Sequence, residues 1–241
     1  MIARKARWRE ADLVARLLET RQISPEVRHF VFEVPEVETF AFIPGQFVSL
    51  SREFSGKKIT RAYSIASAPR GNKFEIGLNL MEDGFFSPFL FQMSPGGTVE
   101  TSAPLGYFVL KQPRREAIFV AAGTGITPFR SILEALPNEP EPYPVTLLFG
   151  VRHQTTLLYR SEFEALAQHH SHFRFWPTLS RPEPDWTGRT GYVQTHLVEA
   201  IGDRRDLDVY ICGLKLMVDD VRAKLKALGF DRKQIVYEKY D

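Results

Sequence analysis

The apolar residues change their spacing near residue 111, and this change constrains the fold of the chain more than any other feature. Before that point apolar and polar residues mostly alternate, so that Phe74, Ile76, Leu78 and Leu80 of "KFEIGLNLM" share one face of an extended strand. After it, apolar runs such as "AIFVAAG" and "VTLLFGV" alternate with helical segments. Alternation is typical of antiparallel sheets, whereas apolar runs between helices are typical of a parallel sheet covered on both faces. The sequence therefore predicts two domains, a β domain followed by an α/β domain.

The predicted domains divide the chain between residues 112 and 113. We expect residues 1–112 to form an antiparallel six-stranded β-barrel, because short β-branched and aromatic segments are separated by turns such as "IPGQ" and "SPGG". Within it, "SPFLFQM" predicts one short helix with Ser87 as the N-cap. Residues 113–241 are expected to form a Rossmann-like α/β domain with a five-stranded parallel sheet.

Cysteine content and charge exclude several cofactors and partners. Cys212 is the only cysteine, so the chain forms no internal disulfide and lacks the thiolates for an iron–sulfur cluster or a structural zinc site. We therefore expect an organic electron carrier and no metal. The net charge is only +2, whereas proteins that bind nucleic acid are usually strongly basic, so nucleic acid is not expected as a partner.

The chain shows no pattern of a membrane or secreted protein. No apolar stretch approaches the roughly 20 residues that cross a bilayer. The start, "MIARKARWREADL", lacks the apolar run of a signal peptide. The sequence therefore predicts a cytoplasmic protein without a membrane span.

A glycine turn in the second half predicts a phosphate site. In "FVAAGTGITPFRSIL" an apolar strand leads through Gly123 and Gly125 into a helix, whose first N–H groups have no partner within the helix. The glycines allow a tight turn and a close approach of the backbone, and Thr124 and Thr127 add hydroxyl donors. Pro128 replaces the third glycine of the usual dinucleotide fingerprint, so a plain structural turn is the alternative.

Arginines beyond the glycine turn predict the form of the nucleotide. The end of the next strand, "FGVRHQ", offers Arg152 where an acid would otherwise bind a ribose hydroxyl. Further on, "LSRPEPDWTGRTGYVQT" supplies Ser180, Arg181 and Arg189, which suit a phosphate monoester, and Tyr192, whose ring can stack on adenine. These residues favour a cofactor with a 2′-phosphate. The alternative is that the arginines are ordinary solvated charges.

A short strand motif in the first half suits a second, redox-active nucleotide. "RAYS" brings together Arg61, Tyr63 and Ser64, with Ser64 on the opposite face from the other two. Such side chains can clamp a phosphate, cover a flat ring and hydrogen-bond its edge. "DGFFSPFL" adds a helix start that suits a pyrophosphate. The alternative is a barrel strand in which the arginine and the tyrosine are incidental.

Cys212 lies in "VYICGLKLM", near the carboxyl end of an apolar strand. Ligands of parallel α/β sheets bind at that end of the strands, so a reacting ring is expected close to this thiol. Free cysteine is also among the most buried residue types, and a small buried spacer is the alternative. The two interpretations are compatible.

Taken together, these motifs resemble the ferredoxin–NADP⁺ reductase family in its plant-type and bacterial branches. The resemblance covers nearly the whole chain and is carried, in the family's order, by "RAYSIASAP", "GFFSPFL", "GTGITPFRSIL", "LLYRSEFEAL", "SRP", "YVQT", "YICGLKLM" and the closing "YEKY". It implies an FAD-binding barrel followed by an NADP(H)-binding α/β domain. Electrons would pass between NADPH and a one-electron carrier, ferredoxin or flavodoxin, by hydride transfer to the flavin N5. The carrier would bind transiently, through electrostatic attraction, to a monomeric reductase.

The resemblance also implies which residues bind the two cofactors. FAD would be held by residues of the barrel together with two from the second domain: Arg61, Ala62, Tyr63, Ser64, Leu78, Asn79, Leu80, Gly84, Phe85, Phe86, Ser87, Thr127 and Tyr240. NADP(H) would be held by residues of the α/β domain: Thr124, Gly125, Thr127, Pro128, Arg152, Ser180, Arg181, Arg189, Tyr192, Gln194, Cys212, Gly213 and Leu214.

Four residues would take part in the reaction by the same resemblance. Ser64 would hydrogen-bond at the flavin N5, Cys212 would lie against the nicotinamide, and Glu238 would sit near both. Tyr240 would stack on the flavin face that the nicotinamide must occupy, and so act as a gate. Asp241 follows this tyrosine, which departs from the plant-type pattern.

Two other functions agree with parts of the sequence. One is the NAD(P)H-dependent reductase component of an oxygenase, or a cytochrome reductase, although the three arginines argue against a preference for NADH. The other is a nucleotide-binding regulatory module without turnover, against which Ser64, Cys212 and Glu238 argue. A colourless purified protein would favour the regulatory module.

Overall fold

The computed structural model describes residues 13–138 and 143–240 of the chain. Residues 1–12, which contain nearly all of the segment "MIARKARWREADL", lie outside this range, as does Asp241. The described residues contain two six-stranded sheets, the first antiparallel and the second parallel. The change of apolar spacing near residue 111 thus separates two different sheets along the chain, as the sequence predicts.

The antiparallel sheet is built from the first half of the chain. Its strands are β1 (Leu13–Ser24), β2 (Val27–Glu33), β3 (Phe47–Phe54), β4 (Lys57–Ser64), β5 (Lys73–Asn79) and β6 (Thr98–Thr101), in the spatial order β4-β3-β6-β1-β2-β5. A backbone bridge joins Ile65 to Ile76, and the Ala66 N–H donates to the Glu75 carbonyl at 2.7 Å. Because these contacts join the end of β4 to β5, the sheet closes, and the predicted six-stranded antiparallel barrel is confirmed.

Alternating side chains fill the barrel. Phe74 and Leu78 of β5 are buried, and the Phe74 ring stacks on Phe32 of β2 with 5.5 Å between centroids. The strand ends at Asn79, so Leu80, which the alternation assigns to the same strand, lies just beyond it. Packed aromatic rings thus supply much of the barrel core.

A short helix, α1 (Phe86–Gln92), lies between β5 and β6. The prediction that Ser87 is its N-cap is wrong, because the helix begins at Phe86 and Ser87 lies in its first turn. The Ser87 hydroxyl accepts a hydrogen bond from the Met81 N–H at 2.9 Å. The serine therefore stabilises the turn that precedes the helix and not the helix N-terminus.

The parallel sheet is built from the second half of the chain. Its strands are β7 (Ala117–Ala122), β8 (Val145–Val151), β9 (Phe173–Leu179), β10 (Arg189–Thr190), β11 (Asp208–Leu214) and β12 (Ile235–Tyr240), in the order β10-β9-β8-β7-β11-β12. The predicted five strands are therefore corrected to six. The extra strand, β10, has only two residues paired with β9, which is too short to produce a periodic pattern in the sequence.

Helices cover both faces of this sheet. They are α2 (Thr127–Ala135), α3 (Arg160–His169), α4 (Leu197–Ile201) and α5 (Lys215–Ala227). Successive side chains of β7 lie on opposite faces of the sheet. The Phe119 ring stacks on Phe129 of α2 with 4.9 Å between centroids, whereas Val120 belongs to the apolar layer that includes Val218 of α5. Burial on both faces explains why these strands are continuous apolar runs.

The segment between β6 and β7 connects the two sheets and packs against the second one. Phe108 lies 5.4 Å from the ring of Phe129 and 6.1 Å from that of Tyr210, between centroids. The division predicted between residues 112 and 113 falls in this connection. The connecting chain thus belongs to the interface between the two halves.

Two kinds of feature are missing from residues 13–138 and 143–240. No helix there is long and apolar enough to cross a membrane. The same residues form no group of three His, Cys, Asp or Glu side chains suited to a metal ion.

Candidate functional site

A cavity of about 1200 Å³ opens at the carboxyl edge of the parallel sheet. The glycine turn after β7, the ends of β8 and β9 and the start of α5 line it, and the turn between β1 and β2 faces them from the barrel. Its walls include many of the residues predicted to bind NADP(H): Thr124, Arg152, Ser180, Arg181, Tyr192, Gln194 and Leu214. Among the described residues, the walls leave out the other predicted ones: Gly125, Thr127, Pro128, Arg189, Cys212 and Gly213. Gly125 belongs to the glycine turn itself, Thr127 and Pro128 begin the helix that follows it, and Cys212 and Gly213 pack against Gly125.

The glycine turn packs against the end of β11. A Cβ atom at Gly125 would lie 2.4 Å from the Cys212 carbonyl oxygen and 2.7 Å from the Gly213 Cα, closer than real Cβ atoms approach other atoms. Only glycine therefore permits this contact. Pro128 lies in the first turn of α2, where its missing N–H costs no helical hydrogen bond. The turn thus brings the predicted phosphate site beside Cys212.

Three hydroxyl groups meet between the two halves of the molecule. The Tyr240 hydroxyl donates to the Ser64 Oγ at 2.5 Å and lies 3.3 Å from the Thr127 Oγ1. The Thr127 hydroxyl in turn donates to the Thr124 carbonyl at 2.9 Å. Ser64 ends β4, Thr127 begins α2 and Tyr240 ends β12. Residues that are far apart in the sequence therefore converge where the resemblance predicts a reaction site.

Cys212 and Glu238 are partners in the pairing of β11 with β12. Burial, and then the charge of Glu238, raise the pKa of Cys212 well above its usual value, so the thiol stays protonated at neutral pH. Burial also raises the pKa of Glu238 to about 7. Its Oε2 is buried and has no hydrogen-bond partner among the residues described. The thiol therefore suits a spacer more than a nucleophile, whereas the carboxyl group can hold or release a proton near neutral pH.

Two arginines lie side by side on the cavity wall. The Arg181 N–H donates to the Arg152 carbonyl at 2.9 Å, and the Ser180 N–H donates to the Val151 carbonyl at 3.0 Å. These bonds continue the pairing of β8 and β9 past the strand ends. In the part of the chain that the structure describes, neither guanidinium pairs with a carboxylate. Both cations are therefore available to an anion in the cavity.

Arg189 is placed differently from these two arginines. Its guanidinium makes hydrogen bonds of 2.5 and 2.7 Å to the two carboxylate oxygens of Glu199 and lies 3.9 Å from the Trp176 ring centroid. The structure therefore does not bring Arg189 to the cavity wall, although the sequence predicts it there. Tyr192 does lie on the wall, with 67% of its surface exposed, so its ring is free to stack on a base.

The "RAYS" strand and the start of α1 come together in the barrel. The Tyr63 ring packs against Phe86 with 6.2 Å between centroids, and burial raises the pKa of Tyr63, so the phenol stays neutral. Arg61 is exposed and donates to the Thr60 carbonyl. The other predicted FAD residues on this side lie in β4 (Ala62), at or just beyond the end of β5 (Leu78, Asn79, Leu80) and around the start of α1 (Gly84, Phe85, Ser87). Asn79 also lines the cavity at the parallel sheet. The exposed cation, the neutral ring and the Ser64 hydroxyl of this strand fit the phosphates, the flat ring and the ring edge of FAD. In the second half, the buried Glu238 Oε2 has no partner among the described residues and leaves a hydrogen bond open to a bound group.

The cavity walls also include residues that the sequence analysis did not single out. The barrel contributes the β1–β2 turn, whose members are Ser24, Pro25, Glu26 and Val27. The second half adds His153, Thr155, Thr156, Lys215, Leu216, Met217 and Asp220. The β1–β2 turn meets the glycine turn only through the packing of the two sheets, so no local pattern could have revealed it.

Protein-family models match both halves of the chain. Residues 14–110 match the "Oxidoreductase FAD-binding domain" and residues 119–223 match the "Oxidoreductase NAD-binding domain". The first match covers the barrel strands and the second covers the parallel sheet as far as α5. The two cofactor classes expected from the sequence, a flavin and a nicotinamide nucleotide, are those of the matched domains.

Two curated proteins illustrate the range of similar chains. Ferredoxin--NADP reductase B of Sorangium cellulosum is 41% identical over 238 residues, which are 94% of this chain and 97% of that protein. The toluate 1,2-dioxygenase electron transfer component of Pseudomonas putida is 28% identical over 232 residues, 96% of this chain and 68% of that protein.

A solved structure supports the same fold. A ferredoxin NADP+ reductase from Neisseria gonorrhoeae with bound FAD and NADP superposes with a TM-score of 0.82 at 25% identity. The match covers 95% of this chain and 98% of that one. The two proteins therefore share the barrel, the parallel sheet and their arrangement over nearly their whole lengths.

Proposed function

The chain belongs to the ferredoxin–NADP⁺ reductase family of FAD- and NAD(P)-binding oxidoreductases, and on this basis we propose that it passes electrons between NADPH and ferredoxin or flavodoxin. In this proposal NADPH delivers a hydride to FAD, and the carrier protein takes the electrons one at a time. The carrier binds transiently and by electrostatic attraction. The monomeric state and the cytoplasmic location stay predictions from the sequence.

The pair of arginines on the cavity wall is the observation that carries the proposal. Arg152 and Arg181 lie at adjacent strand ends, exposed and without a carboxylate partner among the described residues. Guanidinium groups bind phosphate through charge-assisted hydrogen bonds, and only the phosphorylated nucleotide offers a 2′-phosphate. The site therefore supports NADPH over NADH as the electron donor.

The residues around the hydroxyl groups of Ser64, Thr127 and Tyr240 would have different roles at the flavin. FAD, when bound, supplies the conversion of a hydride into single electrons. Arg61 would hold its pyrophosphate, Tyr63 would cover its ring, and Ser64 would hydrogen-bond the ring edge. Cys212, buried and protonated, would leave room for the nicotinamide. Glu238 would hold a proton at its buried carboxyl group.

Tyr240 would act as the gate of this site. Its hydroxyl contacts Ser64 and Thr127, so the side chain occupies the space between the barrel and the glycine turn. Burial raises the pKa of Tyr240, which keeps the phenol a hydrogen-bond donor at neutral pH. The nicotinamide would have to displace this side chain, and the lost contacts would then favour release of the oxidised nucleotide.

A second candidate is the reductase component of an oxygenase. The similarity to the toluate 1,2-dioxygenase electron transfer component extends over 96% of this chain, and it supports this alternative. That protein is longer, since the match covers 68% of it. The two candidates share the flavin chemistry and differ in the protein that accepts the electrons.

A panel of electron acceptors tests the proposal. With NADPH as donor, the purified protein is expected to reduce a ferredoxin or a flavodoxin faster than cytochrome b5 or an oxygenase component. The rate should fall as salt is raised from about 0.1 to about 1 M, because the Debye length shortens from about 10 to about 3 Å. Ferricyanide reduction serves as the control for intact flavin. Turnover with the oxygenase component, and with neither ferredoxin nor flavodoxin, would favour the second candidate.

A further inference from the structure

A mostly buried polar network joins the two halves of the molecule beside the site described above. We call it the interdomain clamp; its members are His29 of β2, Glu75 of β5, Arg130 of α2, Tyr159 before α3, and Glu162 of α3. His29, Arg130 and Tyr159 are all at least nine-tenths buried. None of the five is among the residues that the sequence predicts for the site.

The Tyr159 side chain fits into a gap in the barrel at Gly77 of β5. Its hydroxyl lies 3.0 Å from the His29 Nδ1, and its ring lies 4.7 Å from the Arg130 guanidinium carbon. A Cβ atom at Gly77 of β5 would lie only 2.6 Å from this hydroxyl. The absence of a side chain at Gly77 is therefore what admits the tyrosine.

Arg130 holds the centre of the clamp. Its Nη1 lies 2.7 Å from the Glu75 Oε2 and donates to the Ala66 carbonyl at 2.7 Å, while its Nε lies 2.7 Å from the Glu162 Oε2. Burial acts to raise the pKa of Glu75, but the His29 hydrogen bond and the Arg130 charge outweigh it and lower that pKa to about 2. The pair is therefore ionised at neutral pH, and both ions are satisfied.

Helix α2 has further bonds to the barrel. The Ser131 hydroxyl donates to the Ser67 carbonyl at 2.6 Å, and the Glu134 Oε2 accepts from the Ala68 N–H at 2.6 Å. These barrel residues follow Ser64 closely in the chain. The helix that begins at the glycine turn is thus fixed to the segment that leaves the predicted flavin-binding strand.

Tyr159 directly follows a chain segment that lines the nucleotide cavity. Residues of the segment 152–158, including Arg152 and Thr156, line the cavity and lead directly into Tyr159. Tyr159 itself has φ 57° and ψ 24°, a left-handed conformation that is rare outside glycine. Such strain costs on the order of 1–3 kcal/mol and persists where surrounding contacts determine the conformation. The clamp supplies those contacts.

We propose that Tyr159 is a positioning residue for hydride transfer: it pins the nucleotide-binding segment 152–158 to the barrel and so fixes the approach of nicotinamide to flavin. This inference rests on the proposed transfer between a nicotinamide nucleotide and FAD. The physical reason is that a displacement of about 1 Å at the reacting atoms can cost about 100-fold in rate. The gap at Gly77 and the hydrogen bond between His29 and the Tyr159 hydroxyl determine how far the tyrosine side chain enters the barrel.

Anaerobic stopped-flow reduction of the bound flavin by NADPH tests this role in Tyr159→Phe. The limiting rate is expected to fall about 10- to 100-fold, while the dissociation constant of NADPH stays within about threefold of wild type. Gly77→Ala, which displaces the hydroxyl, should lower the rate similarly. The added methyl group would also lie 3.2 Å from the Thr127 Cγ2, so the two changes share only the Tyr159 contact. The double variant should therefore be slower than wild type by less than the product of the two single effects. Amide hydrogen exchange in residues 152–158, measured without nucleotide, should accelerate in each variant.

Tyr210→Phe is the matched control. It removes another buried phenol hydroxyl of the same domain, one that accepts a hydrogen bond from the Lys111 N–H at 2.9 Å. This variant should lose thermal stability yet keep the rate and the exchange of segment 152–158. A Tyr159→Phe protein that, like Tyr210→Phe, keeps the wild-type limiting rate and the wild-type exchange of segment 152–158 would overturn the proposal. If the wild-type protein uses NADH in place of NADPH, the assignment of the nucleotide fails. The role of Tyr159 is then tested by the ratio of variant to wild-type limiting rates with NADH, and by the amide hydrogen exchange of segment 152–158.

Discussion

Gly125→Ala is expected to lower the rate of flavin reduction by NADPH about 100-fold or more. The added Cβ atom would lie 2.4 Å from the Cys212 carbonyl oxygen, so the glycine turn and the end of β11 must separate by roughly 1 Å. Backbone atoms cannot rotate away as a flexible side chain does. The separation would displace the phosphate site relative to Cys212, where the nicotinamide is expected. Overpacking of this kind also costs about 1–3 kcal/mol of stability.

Stopped-flow reduction and thermal unfolding of the FAD-loaded protein measure both effects. Gly229→Ala is the control, because Gly229 has φ +84° but no heavy atom within 4 Å of an added Cβ. It should lose about 1 kcal/mol from backbone strain alone and keep the wild-type rate. Unchanged reduction by Gly125→Ala would mean that the close packing of the turn on β11 does not position the nucleotide.

Replacing both Arg152 and Arg181 by alanine is expected to weaken NADPH binding about 100-fold or more. Each arginine can make charge-assisted hydrogen bonds to the 2′-phosphate, worth about 1.5–3 kcal/mol apiece. NADH lacks this phosphate, so its dissociation constant should change little. The selectivity for NADPH should therefore collapse while the limiting rate of flavin reduction is retained.

Titration of the oxidised enzyme with NADP⁺ and NAD⁺, followed by flavin difference spectra, checks this prediction. Arg189→Ala should have a smaller effect than either single variant, because Glu199 already binds the Arg189 guanidinium through two hydrogen bonds. Arg174→Ala, on the same strand as the arginine site but near its other end, controls for the loss of net charge. An Arg189→Ala effect larger than that of Arg181→Ala would show that Glu199 releases Arg189 to the nucleotide.

The sequence predicted the fold because its two periodicities reflect burial. Phe74 and Leu78 alternate with polar residues, since one face of β5 meets the barrel core, whereas β7 is apolar throughout, since helices cover both faces. Strand β10 escaped prediction because two residues cannot establish a period. The position of Ser87 escaped prediction because its hydroxyl bonds a turn outside the helix.

The candidate site was predictable where function depends on local motifs. Ser64, Thr127 and Tyr240 each belong to a short motif, and the structure brings their hydroxyl groups together. Contacts set by the packing of the two halves left no such signal. No pattern along the chain indicates that the Tyr159 hydroxyl packs against Gly77, or that the β1–β2 turn lines the cavity. The pairing of Arg189 with Glu199 likewise depends on how β10 and α4 meet.

Anaerobic stopped-flow reduction of wild-type protein by NADPH and by NADH, followed at the flavin absorbance, shows whether the protein is an NADPH-dependent flavin reductase. We expect a yellow protein whose flavin is reduced by NADPH with at least about 100-fold higher efficiency than by NADH, because NADH lacks the phosphate that the two arginines would bind. Equal efficiencies, or a preference for NADH, would contradict the assignment of Arg152 and Arg181 to a 2′-phosphate. A protein that binds no flavin would contradict the reductase function itself.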